Sequence, residues 1–420
     1  MDPSDELDAA AATRITAIPV GRSPFIANGL PQLGAQSLRV GIIGIGVVPF
    51  RPATPEYSWK EIMYEGASRA YADAGVDPRE DVGSFITCAE DYWEGFGIFD
   101  EFTPDQLGAV LRPACTVTGD GIQGLAQGVM QIQAGLAEVV AVEAHSKVSD
   151  LLTYEGVVRH AMDPIWNKPL GGSPYYLAGL EMEAYLRAAK LSERDCAAVV
   201  AKNRQNAMTN ERAAHGLKLD PEDVLASPPI STPLKELDVA PLADTAVVLV
   251  LAAEPRARKL SSEPVWIRGI GWSSDSPWLE TRSWTNAKYA EDAAKMAYHL
   301  AKVRAPAKEI DVAEVDDKFS YKEPQHLEAL GLSRKGSTAK AIREGTFGLG
   351  GTLPVNASGG SLGCGNVIEA SGLHRVAEVA LQLRGHAGRN QVNGARTGLA
   401  ASWRGLPTAT GAVAVLGVGK

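Results

Sequence analysis

The chain has 420 residues, 45% hydrophobic and 22% charged, with a net charge of −9. That is ordinary globular composition with enough length for one large core or two medium ones, and its acidity argues against nucleic acid as the main partner, because phosphate binding needs clustered Lys and Arg. Four cysteines without a CxxC pair exclude a disulfide scaffold and a zinc ribbon, and no apolar run reaches the roughly 18 residues that a membrane helix needs. The opening MDPSDELDAAAATR is acidic and lacks an apolar signal core, so a cytoplasmic protein in a reducing compartment is expected.

Residues 1–38 are rich in Ala, Pro and Gly without periodicity and read as an N-terminal extension. Arg39–Val48, RVGIIGIGVV, is a short apolar run closed by Pro49 and predicts a buried strand. Trp59–Gly75 carries Ile62, Ala67, Ala70, Tyr71 and Ala74 at helical spacing and stops on glycine. Val82–Thr87 predicts a strand, Gly121–Ala134 a helix, and Glu138–Glu143 another strand. The alternation predicts an α/β sheet with helices on both faces. A long stretch, 147–238, then interrupts the pattern. It holds PIWNKPLGGSPYYLAGLEMEAYL, read as an aromatic, glycine-bearing lid, and a helix through Asp195–Ala213.

The chain repeats itself. VWIRGIG at Val265–Gly271 matches VGIIGIG at Val40–Gly46, 225 positions earlier. A helix follows in each copy, with Ala297-Tyr298 answering Ala70-Tyr71, then a strand, FITCAED (85–91) and AEVDDKF (313–319). A glycine-rich helix entry comes next, TGDGIQGLAQGVMQIQAG (118–135) and GCGNVIEASGLHRVAEVALQLRG (363–385). Each copy closes on an apolar strand, Ala246–Ala252 and Gly411–Leu416. Five elements in the same order imply two similar halves, 39–258 and 259–420, packed sheet against sheet with one helix from each half between them.

These motifs, in this order, resemble the thiolase superfamily, and most closely its sterol-carrier-protein type and lipid-transfer relatives. The resemblance covers 39–420 and rests on VGIIGIGVVPF, GDGIQGLAQGVMQIQAGLAEVVAVEAHSKVSD, PLADTAVVLVLAAEPRARKL, AEVDDKFSYKEPQHLEALGL and LPVNASGGSLGCGNVIEASGLHRVAEVALQLRG. It implies a thiolase-like, five-layered αβαβα fold and a homodimer. It also implies an acyl-CoA substrate, with coenzyme A present as part of that substrate and no bound cofactor or metal. In the family a cysteine attacks a 3-ketoacyl-CoA and passes the acyl group to CoA. Here the positions depart from that pattern. Counting back from Gly135 places Thr118 where the nucleophilic cysteine belongs, Asp316 stands for the strand His or Asn, Asn366 for the Gly-His-Pro histidine, and Ser402-Trp403 falls near the C-terminal cysteine.

Two chemistries therefore stay open. One is acyl transfer by a displaced thiol, Cys115 or Cys364. The other is retro-aldol cleavage of a 3-hydroxyacyl-CoA, which needs a base (His145, Asp316 or Tyr321) and an oxyanion donor (Asn366) but no thiol. Some lipid-transfer relatives are aldolases of this kind that work with a small OB-fold and zinc-ribbon subunit, so such a partner is implied here. Thr118, Trp166, Gly171, Gly172, Gly360 and Gly365 are expected to line the substrate path, and Glu90–Trp93 its rim. A non-catalytic acyl-CoA or lipid-binding subunit is the alternative, signalled by a pocket filled by Trp403.

Overall fold

The computed structural model describes residues 38–90, 98–151, 154–276 and 278–419, so Asp91, Tyr92, Trp93 and the extension up to Ser37 lie outside the described residues. From Leu38 onward the chain is one compact unit. Nine strands form its main sheet: β1 (Val40–Val47), β2 (Ser84–Cys88), β3 (Ala114–Val117), β4 (Val139–Ser146), β5 (Thr245–Ala253), β6 (Val265–Ser274), β7 (Val312–Glu314), β8 (Thr397–Trp403) and β9 (Thr410–Gly417). The principal helices are α1 (Trp59–Ala74), α2 (Gly121–Gln133), α3 (Pro174–Ala189), α4 (Glu193–Ala207), α5 (Lys288–Ala301), α6 (Lys322–Ala329) and α7 (Ala370–Arg384).

The strand order is β3-β2-β4-β5-β1-β6-β9-β8-β7. Read outward from its middle, it is the same sequence of pairings twice. β1 lies antiparallel to β5, β5 to β4, and β4 runs parallel to β2. In the other wing β6 lies antiparallel to β9, β9 to β8, and β8 runs parallel to β7. The first wing has one extra edge strand, β3, parallel to β2. The wings are not separate sheets, as two packed halves might suggest. They are stitched along the β1–β6 edge through Gly41↔Trp266 and Ile42↔Val265.

Side-chain alternation explains the layers, since successive strand residues point to opposite faces. Along β5, Val247, Leu249 and Leu251 face inward onto the central helices, while Val248, Val250 and Ala252 face α1. Along β9, Ala412, Ala414 and Leu416 face inward and Val413 and Val415 face α5. Both inner faces close on one core with Ile122, Leu125 and Val129 of α2 and Leu373, Val376 and Ala380 of α7. The result is helix, sheet, paired helices, sheet, helix: the five layers and paired central helices read from the repeat.

The repeated G-x-G has a packing cause. A Cβ at Gly46 would lie 2.0 Å from the Gly66 carbonyl oxygen of α1, and one at Gly271 would lie 2.3 Å from the Ala293 carbonyl oxygen of α5. Only glycine lets each outer helix settle this closely on its strand. α1 is further set by a capping box between Ser58 and Glu61 and a left-handed Gly75 at its end.

The stretch after β4 holds α3, α4 and a small two-stranded ribbon, Pro229–Ser231 with Leu234–Lys235. The second part of the expected lid is thus the helix α3. Its Ala178, Met182 and Tyr185 share a core with Tyr289, Phe319, Tyr321 and Trp403 of the second half. The following helix ends at Ala207, short of the expected Ala213. Asp244 anchors the root of this stretch. Its carboxylate accepts from the Thr54 and Ser149 amides and hydroxyls and from Lys147 Nζ. Among the described residues no helix is long and apolar enough to cross a membrane.

Candidate active site

Below the end of β7 the chain runs Val315-Asp316-Asp317-Lys318, and all four residues are buried. Arg375, from α7, meets both acids: Nη1 is 3.2 Å from Asp316 Oδ2 and Nη2 is 3.6 Å from Asp317 Oδ1. Burial works against the Asp316 charge, but Arg375 and Lys318 outweigh it and hold the carboxyl well below the usual range. For Asp317 burial wins, helped by Glu323, and its carboxyl is pushed up to about 6. Lys318 Nζ donates to Asp316 Oδ2 at 3.1 Å and to the Trp403 carbonyl at 2.8 Å. Asp317 accepts from the Ser361 and Leu362 amides at 2.6 and 3.2 Å, pinning the turn that leads into Gly365-Asn366. Gly360, in that turn at φ 58°, has no room for a side chain, because a Cβ would lie 2.2 Å from Asp317 Oδ2.

Above this floor opens a cavity of about 910 Å³, lined among others by Glu90, Thr118, Tyr154, Lys318, Ile368 and Arg404. A smaller space of about 30 Å³ shares Tyr154, Val158, Lys318, Gly405 and Leu406 with it and reaches Tyr175, Phe319 and Asn366. Asn366 Nδ2 donates to Tyr154 Oη at 3.3 Å, and its Oδ1 accepts from the Ile368 amide at 3.2 Å, which fixes the amide orientation. Burial pushes the Tyr154 phenol well up, so it stays protonated and acts as a donor or relay rather than as a resting base. Arg404 pairs with Glu90 at the rim, and the Glu90 amide donates to Glu369 Oε1 at 3.1 Å.

The residues expected from sequence fall into three groups. Asn366 and Thr118 line the cavity. Thr118 is exposed and does not cap α2; Asp120 does, by accepting from the Ile122 amide at 3.1 Å. Asp316, Gly360 and Gly365 build the floor and its turn. Gly365 sits at φ 132°, where a Cβ would lie 2.4 Å from that of Ala243.

The third group is not among the cavity-lining residues. His145 lies on the outward face of β4, bonded to Glu143 Oε1 at 3.0 Å and stacked on Trp59 at 5.4 Å. Strand alternation puts it there, because Ala144 is the neighbour that faces inward. Tyr321 is fully buried and donates to Glu181 Oε2 at 2.9 Å, in a cluster with Lys322 and Tyr289. Cys364 is fully buried, with Sγ 3.3 Å from the Ser358 carbonyl, and burial, with Glu378 and Glu314 nearby, pushes its thiol well up. Cys115 is half-buried on edge strand β3, its thiol also raised by burial. Trp166 is 65% exposed, and Gly171 and Gly172 lie on the same surface stretch before α3. Trp403 is buried among Tyr289, Phe319 and Tyr321 rather than plugging the cavity.

Sequence reasoning missed Tyr154, Arg404 and Arg375 as site residues, and passed over Lys318 as a neighbour of the two acids. The DDK run was the available signal for Lys318. For Tyr154 there was none, since only the fold of the inserted stretch brings it to Asn366.

The family model described as thiolase C-terminal domain-like matches residues 272–418. That segment holds β7, β8, β9, α7, the acid pair and Asn366. The C-terminal part of the chain, residues 272–418, is therefore thiolase-like. Over 368 aligned residues the chain is 28% identical to the acetyl-CoA acetyltransferase of Methanothermobacter thermautotrophicus, covering 86% of this chain and 94% of that protein. It is also 28% identical to sterol carrier protein 2 of Oryctolagus cuniculus, covering 86% and 69%. The 17-hydroxy-3-oxo-4-pregnene-20-carboxyl-CoA lyase of Mycobacterium tuberculosis is 27% identical, covering 88% and 97%. Among solved structures, the Ltp2-ChsH2(DUF35) aldolase superposes with a TM-score of 0.77 at 23% identity, over 90% of this chain and 98% of that one. That likeness speaks to the fold.

Proposed function

We propose that this protein makes or breaks a C–C bond next to a CoA thioester by aldol chemistry, without a covalent acyl-enzyme. The observation that carries the reading is the absence of a thiol from the cavity. Thr118, which the count back from Gly135 puts at the nucleophile position, lines its wall, and none of the four cysteines is among its described lining residues. The lyase relative and the aldolase neighbour support the same direction, one by its name and the other by its title.

In the cleavage direction the substrate is a 3-hydroxyacyl-CoA. A base takes the C3 hydroxyl proton, C3–O becomes a carbonyl, and the C2–C3 electron pair moves into the thioester to give an enolate. Protonation at C2 releases the shorter acyl-CoA. Glu90 is the carboxylate on the main cavity's described lining and takes the role of base, oriented by Arg404. Asn366 Nδ2, aligned by its own Oδ1 contact, donates to the thioester oxygen, and Tyr154 relays between them. We further infer a homodimer and a small second subunit as the working assembly, since the aldolase neighbour is titled as a two-component complex.

The test is cleavage of a 3-hydroxyacyl-CoA, followed by release of the carbonyl product, with and without added free CoA. The expected result is turnover that does not need free CoA and survives Cys115→Ala and Cys364→Ala. Turnover that requires free CoA, with an acylated cysteine trapped by mass spectrometry, would overturn the reading in favour of acyl transfer.

A further inference from the structure

We propose that Lys318 is a catalytic residue, its ammonium supplying the positive charge that meets the thioester oxyanion, with Asp316 and Arg375 as positioning residues. The assignment rests on the aldol reading and goes beyond it by naming the group that makes enolate formation possible. Lys318 lines both the main cavity and its inner extension, and it is the cation common to the two. Its side chain is 5% exposed, so the charge acts in a site shielded from water. Charge stabilisation is worth far more there than in solvent, because the donor is already oriented and needs no reorganisation.

The donor count points the same way. An ammonium has three N–H donors. Two are spent, on Asp316 Oδ2 at 3.1 Å and on the Trp403 carbonyl at 2.8 Å. Among the described residues no acceptor takes the third, and Lys318 is one of the residues that border the cavity. Asp316 cannot absorb the charge fully, since it also faces Arg375 Nη1 at 3.2 Å. Arg375 in turn reaches Ser361 Oγ at 2.7 Å and so couples the carboxylate to the turn that carries Asn366. Lys318 and Asn366 both border the inner space, one charged donor and one neutral.

In the cleavage step the C2–C3 electron pair ends on the thioester oxygen, and the Lys318 proton stays on nitrogen throughout. The experiment compares the full-length protein with its K318M and K318R variants by two readouts. One is exchange of the α-protons of propionyl-CoA in D₂O, and the other is kcat and KM for 3-hydroxyacyl-CoA cleavage. Wild type is expected to exchange. K318M is expected to lose exchange and kcat on the order of 10²–10³-fold with KM little changed, and K318R to recover part of both. Circular dichroism and melting confirm that each variant is folded, and Asp316→Asn serves as a second variant that should lower kcat while leaving the fold in place. Exchange by folded K318M within a few-fold of wild type, no exchange by wild type, or a borohydride-trapped adduct on Lys318 would each overturn the proposal. Exchange that depends on Lys318 without any 3-hydroxyacyl-CoA cleavage would uphold it while sinking the aldol reading.

Discussion

The two central helices occupy equivalent places between the sheets and are built on opposite principles. α2 has no charged side chain within its span and approaches its sheet through glycine. A Cβ at Gly124 would lie 2.0 Å from Cys88 Sγ, and one at Gly128 would lie 2.8 Å from Leu251 Cδ1. α7 instead buries His374, Arg375 and Glu378. Glu378 is held by Arg212, with Nε and Nη2 each at 2.9 Å, and Arg375 by the two acids below β7. α2 thus contributes close packing, and α7 contributes buried charges. A symmetric scaffold leaves room for this, because the pairing of strands depends on backbone and alternation, while what a helix buries between two sheets can be apolar or ion-paired if every charge finds a partner.

The largest expected effect breaks the contrast at its centre. Arg375→Leu removes the partner of two buried carboxylates and should cost about 3–5 kcal/mol in urea unfolding. A similar loss on replacing the half-buried Gln127 of α2 with Leu would remove the distinction between the helices. Next, Gly124→Ala forces a methyl against Cys88 Sγ and should cost about 1–3 kcal/mol, with most of it recovered in the Cys88→Ala/Gly124→Ala double variant, which makes room. Asp120 ties the helices together, accepting from the Ile122 amide at 3.1 Å and the Gly372 amide at 3.1 Å. Asp120→Ala should therefore destabilise by about 1 kcal/mol or somewhat more, read from the same urea midpoint shift.

A gentler probe is pH. Burial, with Glu378 nearby, raises the Glu314 carboxyl to about 8, so its folded pKa lies above the unfolded value and stability is lost as pH rises toward 8. The buried His326, lowered by burial and by Lys322 to about 4, works the other way, and its contribution is complete by its unfolded value near 6.5. Between about pH 6.5 and 8 the melting temperature should fall by a few degrees, and Glu314→Gln should flatten that slope. An unchanged slope in the variant would show that Glu314 does not carry it.

Much of the scaffold was legible. The two G-x-G strands, the alternating runs TAVVLVLAA and GAVAVL, and the paired glycine-rich helix entries predicted two halves and the helices between them, because each signal is local. TGLAASW, the strand β8, was not read as one, since its small residues lack the branched and aromatic side chains that mark strands. The β1–β6 stitch was also invisible, because which edges meet follows from how the wings twist and pack. At the site, Asn366 was found through the resemblance, at the place of the Gly-His-Pro histidine. His145 was chosen for its position after an apolar strand, but one step of alternation separates inward from outward, and it faces out against Trp59.

The sequence by itself therefore determined the periodic features: the repeat, the layer order and the glycines that let helices sit on strands. Those depend on residue type at fixed spacing along one chain. Only the tertiary structure decided which charges share the floor of the cavity. Tyr154 meets Asn366 across 212 positions, and Arg375 reaches back past 50 residues to Asp316 and Asp317. Such meetings are set by packing between elements distant in the chain, and the state of each acid is set by how far burial is offset by the cation that packing brings to it.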